Sequence, residues 1–200
     1  MIKITLPDGS IKEFEASITP FDVAKSISDG LARSIISASF NGTTIETTTE
    51  LTTDGSLILY TFNDDNGKKA FWHSSAHVLA QTILEFHPTA KLTIGPAIDN
   101  GFYYDLDLGE DVISEKDFPQ IEKRFLELAR GKHEFTMRSV SKADALSLYT
   151  NENNPYKVEL IEGLTDGDIT FCDHSDFTDL CRGGHIPNTG FIKAIKIMNV

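Results

Sequence analysis

The 200-residue sequence lacks the marks of secreted and membrane-spanning proteins. It has only two cysteines, Cys172 and Cys181, which are too few for the disulfide framework of a small secreted protein. No apolar run approaches the ~20 residues that a membrane span needs. Residues 1–6 lead directly into a Pro-Asp-Gly turn and not into a secretory signal. These absences predict a cytoplasmic protein without a membrane partner.

Positive charge is also scarce. Eighteen lysines and arginines stand against 30 aspartates and glutamates, which gives a net charge of −12. Nucleic-acid-binding proteins usually carry a basic surface. If RNA is a partner, we therefore expect other parts of a longer protein to supply most of the affinity. A glycine-rich phosphate loop is missing as well, so the sequence offers no ATP site.

Residues 1–62 predict a small β-grasp, ubiquitin-like domain. Ile2, Ile4 and Leu6 alternate with polar residues before a turn, and 11–14 form the returning strand of a hairpin. A helix capped by Thr19 and closed by Gly30 follows. Two further strands are predicted at 34–40, which turns at Asn41-Gly42, and at 56–61.

The polar stretch 63–67 predicts a linker, and residues 68–200 predict a larger α+β domain with a mainly antiparallel sheet packed on helices. Its expected parts are a helix over 71–86, a hairpin from 92–94 and 102–106, a helix capped by Ser114, a strand at 134–140, a helix capped by Ser141 with Leu148 inward, and a strand at 169–173. The last ten residues alternate apolar and polar, as a strand does, and stop without a turn. We interpret the chain as a fragment of a longer protein.

Four residues suggest a site. His73 and His77 lie one turn apart on the helix at 71–86, beside a predicted apolar stripe of Trp72, Ala76, Leu79, Ala80, Ile83 and Phe86. Cys181 and His185 have the reach to face them, next to two glycines that let the backbone approach a ligand closely. Such a set can bind a metal, position a water or hold the ribose of a nucleotide.

Five motifs in this order resemble the editing domain of bacterial threonyl-tRNA synthetases: WHSSAH at 72–77, KLTIGP at 91–96, NGFYYD at 100–105, PYKVEL at 155–160 and DLCRGGHIPNT at 179–189. Residues 1–62 resemble the TGS domain, a β-grasp module found at the N-terminus of these enzymes. The resemblance thus covers the whole chain. One departure is Gly184, where the family usually has proline.

The resemblance implies that the chain is part of an enzyme that attaches threonine to its tRNA using ATP. The implied activity of the fragment is hydrolysis of seryl-tRNA mischarged on threonine tRNA, at the 3′ acceptor end of that tRNA. No cofactor is expected in the fragment. ATP, magnesium and zinc are expected only in the missing catalytic domain, and the full-length protein is expected to be a homodimer.

The resemblance also implies roles for single residues. The catalytic residues are His73, Lys157, Cys181 and His185, and the residues that bind the substrate and the tRNA end are His77, Tyr104, Asp179 and Arg182. Two alternatives stay open. His73, His77, Cys181 and His185 also fit a tetrahedral zinc set, as in the related alanyl-type deacylases. The domain could instead be a non-catalytic module that binds the tRNA acceptor arm.

Overall fold

A computed structural model describes residues 1–15 and 17–200. The chain forms two compact units, Met1–Phe71 with Gly183–Pro187, and Trp72–Arg182 with Asn188–Val200. Among the described residues, no helix has both the length and the apolar character required to cross a membrane.

The first unit is a β-grasp fold. Its regular elements are β1 (Ile2–Thr5), β2 (Ile11–Phe14), α1 (Pro20–Ile27), α2 (Asp29–Ser34), β3 (Ile35–Phe40), β4 (Thr43–Ile45), β5 (Gly55–Thr61) and the first residues of α3 (Asp65–Phe86). The described strands form one sheet in the order β2-β1-β5-β3-β4, in which β1 and β5 are parallel and the other pairs antiparallel. One core cluster of this unit consists of Ile2, Ile4, Val23, Ala38, Leu51 and Leu57, and a second of Ala24, Ala32 and Ile35.

Local signals at the start of α1 and at the β3–β4 turn are confirmed. The Thr19 side chain accepts a hydrogen bond from the Asp22 amide, and the Asp22 carboxylate accepts one in return, so the two form a capping box. Asn41 and Gly42 have left-handed φ angles of 50° and 83°. Both angles suit a two-residue hairpin turn.

The prediction that Gly30 ends α1 is wrong. α1 stops at Ile27, and Gly30 lies inside α2. The reason is Ser28, whose hydroxyl accepts a hydrogen bond from the Leu31 amide and so starts a second helix immediately.

α3 begins at Asp65 and not near residue 71, so the last three residues of the predicted linker are helical. The Asp64 carboxylate accepts hydrogen bonds from the amide and the hydroxyl of Thr61, which ties the end of β5 to the start of the helix. Gly67 fits there because it has no side chain: a Cβ atom would meet the carbonyl oxygen of Thr61.

The middle of α3 is buried on more than one face. Ala76, Ala80 and Ile83 of the predicted stripe are buried, but Trp72 and Leu79 are half-buried and Phe86 is 38% exposed. Ser74, Ser75 and His77 are buried as well. The prediction that His77 borders the packed face without joining it is therefore wrong.

The second unit is α+β with antiparallel pairing throughout its described strands. Its elements after α3 are β6 (Lys91–Leu92), β7 (Ala97–Ile98), β8 (Gly101–Phe102), β9 (Leu106–Asp107), α4 (Phe118–Arg130), β10 (Thr136–Ser139), α5 (Lys142–Asn151), α6 (Pro155–Glu162), β11 (Thr170–His174), β12 (Phe177–Leu180) and a 3₁₀ turn (Thr189–Phe191). The sheet order is β10-β11-β12, and β6 pairs with β9 and β7 with β8. Residues of α5, α6 and β11 form a shared core. The predicted fold class is confirmed.

Three details of the second unit differ from prediction. The strands around Asn100 are shorter and pair as two separate ladders. Ser114 does not cap α4 but bonds to Asp117. Residues 192–200 form no strand, and the Ile197 amide donates to the Glu122 carboxylate of α4 (2.8 Å).

Candidate functional site

Lys157 is held inside the second unit. Asn154 caps α6 by accepting a hydrogen bond from the Lys157 amide (N to Oδ1, 3.1 Å), and its own amide group donates to the carbonyl oxygen of Leu92 (2.9 Å). The Lys157 side chain is only 3% exposed, and its Nζ lies 2.5 Å from Oδ1 of Asp179 on β12. A buried ammonium group is thus paired with a buried carboxylate, as charges in a protein interior require.

Two tyrosine hydroxyls complete the surroundings of Asp179. Tyr104 donates to Oδ2 (2.7 Å), and Tyr149 approaches Oδ1 at 3.4 Å while accepting the Leu180 amide (2.8 Å). Burial, and next the negative charge of Asp179, raises the pKa of both tyrosines. Both hydroxyls therefore stay protonated, and the carboxylate is fixed from three sides.

A histidine–thiol pair lies beside this carboxylate. Nε2 of His73 is 3.0 Å from Sγ of Cys181. The rings of His73 and His77 meet edge to face, with centroids 4.8 Å apart. Nδ1 of His77 is 3.6 Å from Oδ2 of Asp179, which is an ionic contact and too long for a hydrogen bond. The second unit thus brings together the predicted site residues His73, His77, Tyr104, Lys157, Asp179 and Cys181.

This arrangement combines a possible proton acceptor with a buried negative charge. His73 is half-buried, and an imidazole can take a proton from water near neutral pH. The Asp179 carboxylate can attract a cationic group. Both groups lie in surroundings that exclude most water, where electrostatic interactions are stronger than at the surface.

Three of the side chains fit the donor preference of zinc. The ligand atoms of His73, His77 and Cys181 all lie within 4.8 Å of one another. Zinc bonds to nitrogen and sulfur place the atoms of a tetrahedral site about 3.5 Å apart. Side-chain shifts of about 1 Å would therefore bring these three atoms to zinc-binding distances.

His185 belongs to the first unit, and Arg182, which is exposed, precedes that segment. The His185 ring is fully buried, with Nδ1 3.2 Å from Oε1 of Glu46, and the same oxygen accepts the Gly184 amide (2.9 Å). Burial acts to raise the pKa of Glu46, but the hydrogen bond and the Coulombic interaction with His185 and the hydrogen bond from the Gly184 amide outweigh it, so that the pKa is lowered.

Gly184 has a backbone that proline cannot adopt. Its φ is +88°, whereas proline fixes φ near −65° and has no amide hydrogen to donate. The loop conformation at position 184 therefore excludes proline, the usual residue at this position in the family that the sequence resembles.

Gly184→Pro is expected to lower the free energy of unfolding by about 1–3 kcal/mol through backbone strain, and it removes the hydrogen bond to Glu46 as well. Gly184→Ala is the control, because it keeps the amide and costs only ~1–2 kcal/mol for a left-handed residue, although its Cβ would lie 3.3 Å from Thr44. Urea unfolding midpoints of the wild type, Gly184→Pro and Gly184→Ala measure these differences in stability. A proline variant more stable than the alanine variant would contradict the expectation.

The sequence did not reveal Tyr149, Asn154 or Glu46. Asn-Pro before an apolar stretch is a cap signal that could have found Asn154. Leu148 was the expected inward residue of α5, but Leu148 is half-buried and Tyr149 is buried. Glu46 has no local signal, because its partner is far away in the sequence.

Protein-family models match the two ends of the chain, and related proteins match its whole length. The TGS domain family matches residues 2–61, and the threonyl and alanyl tRNA synthetase second additional domain matches residues 169–200. The threonine–tRNA ligases of Flavobacterium psychrophilum and Flavobacterium johnsoniae are each 68% identical over all 200 residues, and that of Cytophaga hutchinsonii is 52% identical. The chain spans 31% of the length of each. The chain is therefore similar over its whole length to a segment of the threonine–tRNA ligases, with a TGS match at 2–61 and a match to the synthetase second additional domain at 169–200.

Proposed function

We propose that the chain hydrolyses seryl-tRNA formed by mistake on threonine tRNA, as the editing part of an enzyme that attaches threonine to this tRNA with ATP. The observation that carries the proposal is the buried Asp179, fixed by Lys157 and Tyr104 beside the His73–Cys181 pair. The similarity to threonine–tRNA ligases supports the choice of substrate.

The need for such a site follows from the small difference between the two amino acids. Serine lacks one methyl group of threonine, and a binding site rejects a ligand for a missing methyl by only ~1–3 kcal/mol. A second site that is too small for the threonine methyl can hydrolyse the serine ester and leave the correct product intact.

In the proposed reaction the oxygen of a water attacks the ester carbonyl carbon, and the bond from that carbon to the ribose oxygen breaks. His73 takes a proton from the water, and a proton goes to the departing ribose oxygen. Asp179 binds the amino group of the seryl ester. Because the ammonium group of Lys157 already contacts Asp179, its main role in this scheme is to hold that carboxylate in place, and stabilisation of the developing oxyanion is a second role.

Affinity for tRNA has to come largely from outside the chain. The net charge of −12 repels phosphates, and basic contacts supply most of the affinity of nucleic-acid binders. We therefore propose that the rest of a longer synthetase, as a homodimer, holds the tRNA and delivers its 3′ end.

The direct test is deacylation of seryl- and threonyl-tRNA under single-turnover conditions. We expect the seryl ester to be hydrolysed ~10- to 200-fold faster, the range that one methyl group allows. Equal rates on the two esters would contradict a double sieve. Binding of both esters without hydrolysis would favour the non-catalytic module.

A zinc-dependent deacylase is the second candidate, because three nitrogen and sulfur donors lie within 4.8 Å of one another. In that case His73, His77 and Cys181 would be three of the zinc ligands, and the zinc would supply Lewis-acid activation of a water. The same assay with a chelator separates the candidates. Activity that survives the chelator supports the metal-free reaction, and one zinc per chain lost together with activity supports the zinc reaction.

A further inference from the structure

The carboxylate of Glu46 is held at the His185 ring by the β-grasp fold. Glu46 directly follows β4, whose residue Ile45 pairs with Ala38 of β3. The Glu46 carbonyl oxygen accepts the Thr49 amide (3.1 Å), which fixes the turn after the strand. The backbone that carries this carboxylate is therefore tied down on both sides.

On the other side of the contact, the loop is tied to the same carboxylate. Oε1 of Glu46 accepts the Gly184 amide at 2.9 Å and lies 3.2 Å from Nδ1 of His185. The Glu46 side chain is 18% exposed and the His185 side chain 0%. One oxygen of a largely buried carboxylate thus contacts both a buried imidazole and a backbone amide.

This geometry determines the tautomer of His185. A carboxylate that is ionised at neutral pH can only accept hydrogen bonds. The proton of the neutral ring must then be on Nδ1 to form the bond, and Nε2 becomes the acceptor nitrogen of the ring.

We propose that Glu46 is a positioning residue for His185: it fixes the ring orientation and holds the ring in the Nδ1–H tautomer, so that Nε2 is its acceptor nitrogen. The inference rests on the proposed hydrolysis for its kinetic consequence, but the tautomer itself does not depend on that function. Nothing in the motif that contains His185 reveals this partner, because Glu46 lies in the β-grasp unit about 140 residues earlier.

The first measurement is the two-bond ¹H–¹⁵N correlation spectrum of the ¹⁵N-labelled 200-residue chain at about pH 8, above the ordinary pKa of a histidine side chain. The His185 signals are identified by their loss in His185→Asn. We expect an Nδ1–H ring in the wild type and in Glu46→Gln, because the glutamine oxygen still accepts the bond. In Glu46→Ala we expect the Nε2–H form to appear.

The second measurement is single-turnover hydrolysis of seryl-tRNA. Glu46→Ala is expected to lower the rate ~10- to 100-fold, as loss of the partner of a functional histidine does, and Glu46→Gln is expected to restore most of it. Glu50→Gln is the matched control: Glu50 is exposed and bonds to Ser17, so its rate and the His185 spectrum should not change.

An Nε2–H ring in the wild type overturns the proposal, as does a Glu46→Ala chain with unchanged tautomer and rate. If Glu46→Ala does not fold, the wild-type and Glu46→Gln spectra decide, and an Nε2–H ring in either one overturns it. A wild-type chain that shows the Nδ1–H ring but no hydrolysis contradicts the proposed function and leaves the positioning role supported.

Discussion

The Lys157→Met chain is expected to unfold with a free energy about 3–5 kcal/mol below that of the wild type. Methionine has a similar length and no charge, so it fills the space of the lysine but leaves the Asp179 carboxylate buried without its ammonium partner. The hydroxyls of Tyr104 and Tyr149 remain, but neutral donors do not balance a full charge. Urea unfolding with linear extrapolation gives the difference.

Two further variants isolate the ion pair. Lys116→Met changes an exposed lysine and should alter stability by no more than ~0.5 kcal/mol. Lys157→Met combined with Asp179→Asn removes both charges and should recover much of the loss, because the large cost comes from the charge left unpaired. If Lys157→Met is as stable as Lys116→Met, the expected dependence of stability on the buried ion pair is contradicted.

His73→Ala is expected to lower single-turnover hydrolysis of seryl-tRNA by ~10² or more, the usual size of a general acid–base contribution. The loss of stability should be only about 1 kcal/mol, because His73 is half-buried and a hydrogen bond such as the one with Cys181 contributes about this much. Urea midpoints and the rate per folded chain measure the two effects separately.

Ile83→Ala is the control on the same helix. Ile83 is buried in the core of the second unit, so its truncation should cost ~2–5 kcal/mol while the rate per folded chain stays unchanged. A His73→Ala chain that loses as much stability as Ile83→Ala and keeps its rate would make His73 a core residue.

Signals that act over a few residues predicted the fold well. The cap at Thr19 and the turn at Asn41-Gly42 are set by hydrogen bonds and φ angles within a short stretch. Where contacts between distant residues determine the local structure, the prediction from sequence was wrong. The alternation over 191–200 is that of a strand, but the Ile197 amide bonds to Glu122 of α4.

The candidate site shows the same division. The grouping of His73, His77 and Cys181 could be predicted because two lie one helical turn apart and the motifs recur as a set. The burial of Lys157 could not, since it depends on Asp179, 22 residues away. The surrounding sequence of a lysine does not distinguish a solvated charge from a paired one.

The first unit contains a segment, Gly183–Pro187, that is made long after the rest of it. A ribosome adds about 5–20 residues per second, so the stretch from Trp72 to Arg182 takes roughly 5–25 s to synthesise. During that interval the β-grasp sheet can form, but the His185 ring that contacts Glu46 does not yet exist. The histidine can therefore take its place only late in translation, and a nascent chain stalled before Gly183 would hold the Glu46 carboxylate without its imidazole.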